Sequence, residues 1–423
     1  MNKNLIKQII LEQREEIDSI FNKERIIARE IDLLPALSYP NAVVITGARR
    51  TGKSFLALLA AAKKAYAYLN FDDERMSLSQ NELNLVLECF YELYPKFEII
   101  ILDEVQNVQG WELFVNRLRR TKKIIVTGSN AKLLSRELST HLAGRHIDFT
   151  LFPFSFREHL RMRGMELPSH EVITSIQKAE MHREFVRYLD DGGFPEVHKF
   201  GPPILKSIYE DVLYRDIILR YKIRKAAMFR DLARILASQY GREFTYSRLR
   251  DSVHLKDVHT VRKFVDFLTS SYLFFVVERF SYKLRQQVLA PKKIYSIDTG
   301  LVHAAAFKTS EDRGWLYENC VAVELQRRKH YRKGPDVFYW KNTTGEEVDF
   351  CLKDVTHILE LIQVCVDISY KNTRERELRS LVKASKELRC QALTVLTDDE
   401  EGQESYKGKK VSIKPIWKWF LEF

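Results

Sequence analysis

The chain lacks several features that would classify it at once. Cysteine is scarce: Cys89, Cys320, Cys351, Cys365 and Cys390 are an odd number with no C-x-x-C spacing. That argues against both a disulfide framework and a structural zinc site. No apolar run approaches the ~20 residues that cross a bilayer. The N-terminal stretch MNKNLIKQIILEQREEIDS carries acidic residues where a signal peptide needs its apolar core. The expected compartment is therefore the cytoplasm, with no membrane partner.

What is present reads as globular. The 423 residues suggest two or three domains, and 45% hydrophobic with 30% charged residues supply material for more than one core. The net charge of +11 is uneven: residues 1–150 carry +2 and the remainder +9. A polyanion such as DNA would bind the C-terminal two-thirds most readily, although a surplus of this size also fits a plain solvated surface.

The strongest signal is GARRTGKSF: Gly47, Ala48, Arg49, Arg50, Thr51, Gly52, Lys53, Ser54 and Phe55. It stands between the apolar run AVVIT and FLALLAAA, so the G-x-x-x-x-G-K-S spacing has the strand–loop–helix context of a phosphate loop. Gly47 and Gly52 permit turns that aim backbone N–H groups at phosphate oxygens. Lys53 reaches the β- and γ-phosphates, and the Ser54 hydroxyl sits on Mg²⁺. Some fifty residues on, FEIIILDEVQN places Asp103 and Glu104 at the tip of a buried strand, where ligands collect in open α/β sheets. Asp103 is expected to serve the Mg²⁺, and Glu104 to orient and polarise an attacking water. The strand KIIVTGSN ends near Asn130, whose amide could hold that water or sense the γ-phosphate. Arg145 precedes the strand His146–Leu151 and reads either as an arginine finger acting in a neighbouring subunit or as a structural ion pair.

Around these motifs the periodicity predicts a helical stretch over residues 2–36, a strand at Ala65–Phe71 and a helix at Asn81–Tyr94. Together, residues 42–160 resemble an AAA+ ATPase module. The segments YLNFDDER, LDEVQN, TGSN, LAGR, PFSFREHL and YLDDGGFPEV resemble one prokaryotic AAA family, which couples this module to a C-terminal domain long labelled as of unknown function. The resemblance covers nearly the whole chain. It implies ATP and Mg²⁺ as cofactors, ATP hydrolysis through Lys53, Ser54, Asp103, Glu104 and Asn130, and a homo-oligomer if Arg145 acts in trans. ATP rather than GTP rests on that resemblance, since no N-K-x-D motif stands in the expected place.

The expected fold is α/β: an AAA+ core over 1–160, a helical connector over 161–225, a winged-helix segment over 226–301 and a restriction-endonuclease-like domain over 302–423. In the connector, Asp190–Glu196 with two glycines and a proline reads as a hinge. The winged-helix reading places Arg262 and Lys263 on a third helix and Lys283 and Arg285 on a wing-like hairpin, as in modules that read DNA. Few positions remain free on that helix after packing, and such modules also bind proteins. From about Gly314 the helix–β–β–β–helix–β order resembles the core of PD-(D/E)XK nucleases. Asp349 fits the strand aspartate and Glu318 or Glu324 the helix glutamate, but Gln363-Val364-Cys365 replaces the E-x-K. Starting instead from Glu360 gives Ile362 where lysine belongs, and Lys341 is a candidate migrated lysine. The expectation is a degenerate, inactive nuclease fold. The function read from the sequence is an ATPase coupled to DNA. The alternatives are an ATP-gated nuclease and a signalling or scaffold ATPase with a protein partner.

Overall fold

The computed structural model describes residues 1–130, 141–167, 174–305 and 313–422. Two compact units emerge: Met1–Phe152 with Ser270–Tyr272, and Pro153–Thr269 with Leu273–Phe423.

In the first unit, helix α1 (Lys3–Lys23) buries Ile6, Ile9, Ile10, Gln13 and Ile17, one apolar face at helical spacing. The helical stretch expected to reach residue 36 stops here. Glu24 is already extended, and only the five-residue α2 (Leu34–Ser38) follows. Ile31 and Leu33 are buried all the same, which is why apolar periodicity runs past the true end of the helix. The non-helical stretch lets Arg29 reach the carbonyl oxygens of Thr51 at 2.8 Å and Phe152 at 2.7 Å.

The sheet contains β1 (Ala42–Gly47), β2 (Tyr66–Asn70), β3 (Ile99–Asp103), β4 (Lys123–Gly128) and β5 (His146–Leu151) in the order β2-β3-β4-β1-β5. Every neighbouring pair is parallel. All residues of β1 and β3 are buried, as continuous apolar strands covered on both faces should be. Helices α3 (Lys53–Ala61), α4 (Leu83–Leu93) and α5 (Trp111–Leu118) connect the strands. Because β4 is inserted between β1 and β3, the loops that follow these three strands converge on one edge of the sheet. The helical segment expected after Asn130 lies outside the described residues.

The second unit begins with α6 (Phe156–Met162), α7 (Ser175–Asp191), α8 (Val197–Phe200) and α9 (Ile204–Asp211), which runs into a π-helical stretch, Val212–Leu219. Three helices follow, α10 (Ala226–Ser238), α11 (Tyr246–Ser252) and α12 (Val258–Ser270). A short β6 (Glu243–Phe244) lies between the first two, and β7 (Phe274–Arg279) and β8 (Lys292–Ser296) come after the third. Strands β7 and β8 pair antiparallel, Phe274 opposite Ser296 through Glu278 opposite Lys292, with a long connection between them. Helix α13 (Leu284–Leu289) occupies that connection, which exposes Tyr282 ahead of the helix and Leu284, Val288 and Leu289 on it. After α14 (Thr299–Ala305) and α15 (Arg313–Arg332) come β9 (Asp336–Lys341), β10 (Glu347–Lys353), β11 (Ile358–Val364), α16 (Lys371–Leu388), β12 (Ala392–Thr397), β13 (Gly402–Tyr406), β14 (Lys409–Pro415) and α17 (Ile416–Leu421).

Among the described residues, the nine strands of this unit form one sheet, ordered β13-β14-β12-β11-β10-β9-β7-β8-β6. Parallel pairing of β7 with β9, Glu278 opposite Phe338 and Arg279 opposite Tyr339, carries the sheet across residue 301, where the sequence places a domain boundary. The sheet curls strongly. The rings of Tyr295 on β8 and Phe350 on β10 lie 6.0 Å apart although two strands separate them in the hydrogen-bonded order. Helix α15 packs against this sheet, with Leu316–Leu325 buried without interruption.

The Asp190–Glu196 stretch breaks the helices as expected but is clamped within the second unit rather than free to hinge. The Asp298 carboxylate accepts hydrogen bonds from the N–H groups of Gly193 at 2.6 Å and Leu301 at 3.1 Å. The Phe154 N–H donates to the Gly193 carbonyl at 2.6 Å. Burial pushes the Asp298 carboxyl up to about 6 against those N–H donors. A Cβ on Gly193 would lie 2.4 Å from the Phe154 carbonyl oxygen. Gly193→Ala is therefore expected to destabilise the chain by about 1–3 kcal/mol through overpacking. Gly402→Ala, where the added methyl meets open space, should shift stability by no more than ~0.5 kcal/mol. Urea unfolding of the two variants side by side checks this.

Candidate functional site

The site lies at the carboxyl edge of the first sheet, and its geometry begins with backbone conformation. Gly52 sits in the left-handed region with φ 90° and leads into α3 without any side-chain cap. The first N–H groups of α3 are therefore left open at the positive end of the helix dipole, a setting suited to an anion. Gly47 (φ 147°) and Arg50 (φ 64°) complete the turn. Thr51 is buried and donates to the Ala48 carbonyl at 2.9 Å, fixing the loop from within. Phe55 packs its ring 6.0 Å from that of Phe21 on α1.

Lys53 is buried. Its ammonium donates to the carbonyls of Ala48 at 3.0 Å and Gly47 at 3.3 Å and lies 3.7 Å from Glu104 Oε1. Glu104 adopts a left-handed conformation, φ 52° and ψ 46°, which costs a non-glycine residue about 1–3 kcal/mol and recurs at functional sites. Its N–H donates to the Thr127 hydroxyl at 3.1 Å, and the Gln106 amide donates to its carboxylate.

Asp103 is enclosed by hydroxyls. Tyr68 donates to Oδ2 at 2.8 Å and Thr127 to Oδ1, and Ser54 also hydrogen-bonds the carboxylate. Burial and the neighbouring Glu104 charge push the Asp103 carboxyl upward, against the pull of those three hydroxyls. The Asp103 charge is thus short of positive compensation. A carboxylate beside the Ser54 hydroxyl is a hard-oxygen pair that suits Mg²⁺, which takes most of its ligands from water and phosphate. Ser54 and Asp103 therefore fit the ion expected from the sequence.

Asn130 is fully buried just beyond β4, and so is Ser129. Since β4 separates β1 from β3, which at strand spacing lie about 10 Å apart, Asn130 follows the strand between the phosphate loop and the acidic pair. Arg145 is placed elsewhere. It is exposed and precedes β5, at the sheet edge opposite Gly47. Its own chain's phosphate loop lies the length of a six-residue strand away, about 20 Å.

Besides the Tyr68 and Thr127 hydroxyls, two further residues of this edge carry no motif signal in the sequence. Arg29 ties the loop to the end of β5 with the two hydrogen bonds given above. Asp72, from the DDER segment after β2, pairs with Arg49 at 3.0 Å and accepts from the Asn107 amide at 3.2 Å. Only the position of DDER at a strand end hinted at Asp72. Nothing marked Arg29.

The second unit separates the two candidate glutamates of α15. Glu324 is fully buried against Arg327 and Arg328. Glu318 instead joins Asp349. The lysine at that place is Lys293 of β8 rather than Lys341, which pairs with Glu243 at 2.9 Å and Glu347 at 3.0 Å. Gln363 accepts from the Asp349 N–H at 3.3 Å, the Cys365 thiol donates to the Asp367 carbonyl at 3.4 Å, and Glu360 accepts from the Thr394 hydroxyl at 2.6 Å.

A family model described as an AAA domain matches residues 39–160. Two models described as domains of unknown function, DUF8612 and DUF4143, match 182–312 and 313–419. The "Uncharacterized protein MJ1544" of Methanocaldococcus jannaschii is 31% identical over 100% of this chain and 96% of its own length. The chain belongs to the family of that archaeal protein. A Haemophilus influenzae protein is 29% identical over 79% of this chain and 84% of its own. Among solved structures, the Walker-type ATPase PABY2304 of Pyrococcus abyssi is 16% identical and covers 66% of this chain and 98% of its own, with a TM-score of 0.42. The replication initiator DnaA bound to AMPPCP and single-stranded DNA covers 58% of this chain and 90% of its own at 18% identity and a TM-score of 0.26.

The bond pattern makes Arg29 a testable brace. Each hydrogen bond from a charged donor contributes about 1.5–3 kcal/mol, so Arg29→Ala should weaken binding of a fluorescent ATP analogue by at least ~10-fold. Arg29→Lys, which cannot reach both carbonyls with one planar fork, should recover only part of it. Equilibrium titration of the three proteins gives the answer.

Proposed function

We propose that this protein binds ATP with Mg²⁺ at the edge formed by Gly47–Phe55, Asp103 and Glu104, and hydrolyses it. The observation that carries the reading is the convergence of Lys53 with Glu104 at 3.7 Å, beside an Asp103 carboxylate hydrogen-bonded by Ser54. In this reading Lys53 and the N–H groups at the start of α3 hold the phosphates. Ser54 and Asp103 hold the Mg²⁺, which supplies charge neutralisation on the phosphate oxygens when bound. Glu104 orients and polarises the attacking water, and Asn130 positions it. Arg145 serves the site of an adjoining copy, in keeping with its exposure at the far edge of the sheet.

We further propose that hydrolysis is coupled to DNA. The order of α10, β6, α11, α12, β7 and β8, with β8 between β6 and β7 in the sheet, supports reading this segment as a winged helix, in which the third helix, α12, exposes Arg262 and Lys263. Lys283 and Arg285 are likewise exposed in the β7–β8 connection. A protein partner is the second reading, and α13 favours it: that connection exposes more large apolar surface than a phosphate backbone would use. An ATP-gated nuclease has less support, because Gln363 and Cys365 stand where a carboxylate and a lysine would be needed.

Lys53→Ala should abolish ATP binding, whereas Glu104→Gln should retain it and lose about 10²–10⁴ in turnover. Normal hydrolysis by Glu104→Gln would remove Glu104 from its role. Arg145→Ala should lose on the order of 10³ in kcat at roughly unchanged ATP affinity. Mixing it with Lys53→Ala chains should restore activity in part, since each variant supplies what the other lacks. Steady-state ATPase measured with and without DNA across a salt series separates the two partner readings. Stimulation that fades with salt supports DNA, and indifference to DNA supports a protein.

A further inference from the structure

Lys293 in the second unit is a charged side chain with only 2% of its surface exposed. Three carboxylates share its ammonium: Glu347 at 2.6 Å, Glu318 at 2.8 Å and Asp349 at 3.4 Å. They arrive from β10 and α15, and Lys293 itself from β8, so the curl of the sheet around the helix is what assembles the cluster. The Tyr295 hydroxyl donates to Glu318 at 2.6 Å. The second Asp349 oxygen accepts from the Val364 N–H at 2.9 Å. Lys341 touches only the rim, through Glu347, and divides its charge with Glu243.

An ammonium has three protons to donate, and here three carboxylates receive them. Burial alone would drive a lysine to shed its proton. The surrounding acids reverse this and hold the Lys293 ammonium well above its ordinary range. The acids still outweigh it: Asp349 is pushed far up by burial and by the Glu318 charge. The Tyr339 ring also lies against the ammonium, its centroid 5.6 Å from Nζ, and the carboxylate atoms around it are oxygens, the donor type preferred by hard divalent cations.

We propose that Lys293 is the resident cation of this cluster, occupying the place that a hard divalent ion would otherwise take among Glu318, Glu347 and Asp349, so that metal enters only when Lys293 is removed. The side chain delivers one positive charge, tethered and dehydrated, where an ion would deliver two. With its ammonium in the centre, a second cation within a few ångströms meets direct repulsion at short range. The consequence reaches beyond the ATP site: the second unit performs no metal-dependent chemistry at Asp349, and the cluster instead pins β8 to β10 and α15.

Mn²⁺ uptake by the full chain without nucleotide, followed by electron paramagnetic resonance, tests this. Wild type, Lys293→Arg and Asp349→Asn should all take up the same amount, none of it dependent on Asp349. Lys293→Ala and the volume-matched Lys293→Met should each gain about one equivalent, lost again in Lys293→Ala/Asp349→Asn. Their thermal midpoints should fall without Mn²⁺ and recover with it. Folded Lys293→Ala or Lys293→Met with no added uptake overturns the proposal. So does uptake by the wild type that Asp349→Asn removes, a comparison that decides even where the lysine variants fail to fold.

Discussion

An ionised carboxylate taken out of water costs several kcal/mol unless the protein supplies charge or hydrogen bonds in return, and this chain places such groups wherever its structure is most specific. Asp103 is surrounded by the hydroxyls of Tyr68, Thr127 and Ser54. Asp298 is held by backbone N–H groups, Glu324 by arginines and Asp349 by Lys293. The type of compensation sets what each carboxylate can do. Hydroxyls leave Asp103 uncompensated in charge and receptive to a cation. N–H groups make Asp298 a rigid corner, and guanidinium or ammonium partners leave little for an outside ligand to add.

The first unit illustrates how strand order turns a local motif into a site. A phosphate loop can be recognised within nine residues because its requirements are local: glycine where φ is positive, a lysine, and a hydroxyl at the start of a helix. The acidic pair is nearly as local, standing at the end of an apolar run. The left-handed backbone of Glu104 is invisible in sequence, and it belongs to the turn that brings its carboxylate toward Lys53. Arg29 was equally hidden, because it lies in a stretch whose apolar spacing imitates a continuing helix while the backbone has already left it.

The C-terminal elements β9 to β12 with α16 were legible from alternation and from helical periodicity. Their context was not. The sequence points to Lys341, on the adjoining strand, as the lysine near Asp349, whereas Lys293 stands 56 residues before Asp349 in the chain. Only the curl of the sheet brings it there. No spacing rule reports a contact made across two intervening strands, since it depends on accumulated twist rather than on register. Strands β13 and β14 were also missed, although Val411 and Ile413 alternate with polar residues after the Lys407–Gly408 turn.

The pairing of β7 with β9 bears on modularity. The two family descriptions that share the second unit meet between residues 312 and 313, yet the sheet passes from one to the other without a break. A recombination event or an expression boundary at that point would divide a single sheet, leaving each fragment a raw strand edge prone to pairing with foreign chains. The cut would also strand Lys293 away from Asp349, leaving unbalanced charge inside both fragments. Inheritance of the two segments should therefore be all or nothing: wherever in evolution one travels, the other is constrained to travel with it.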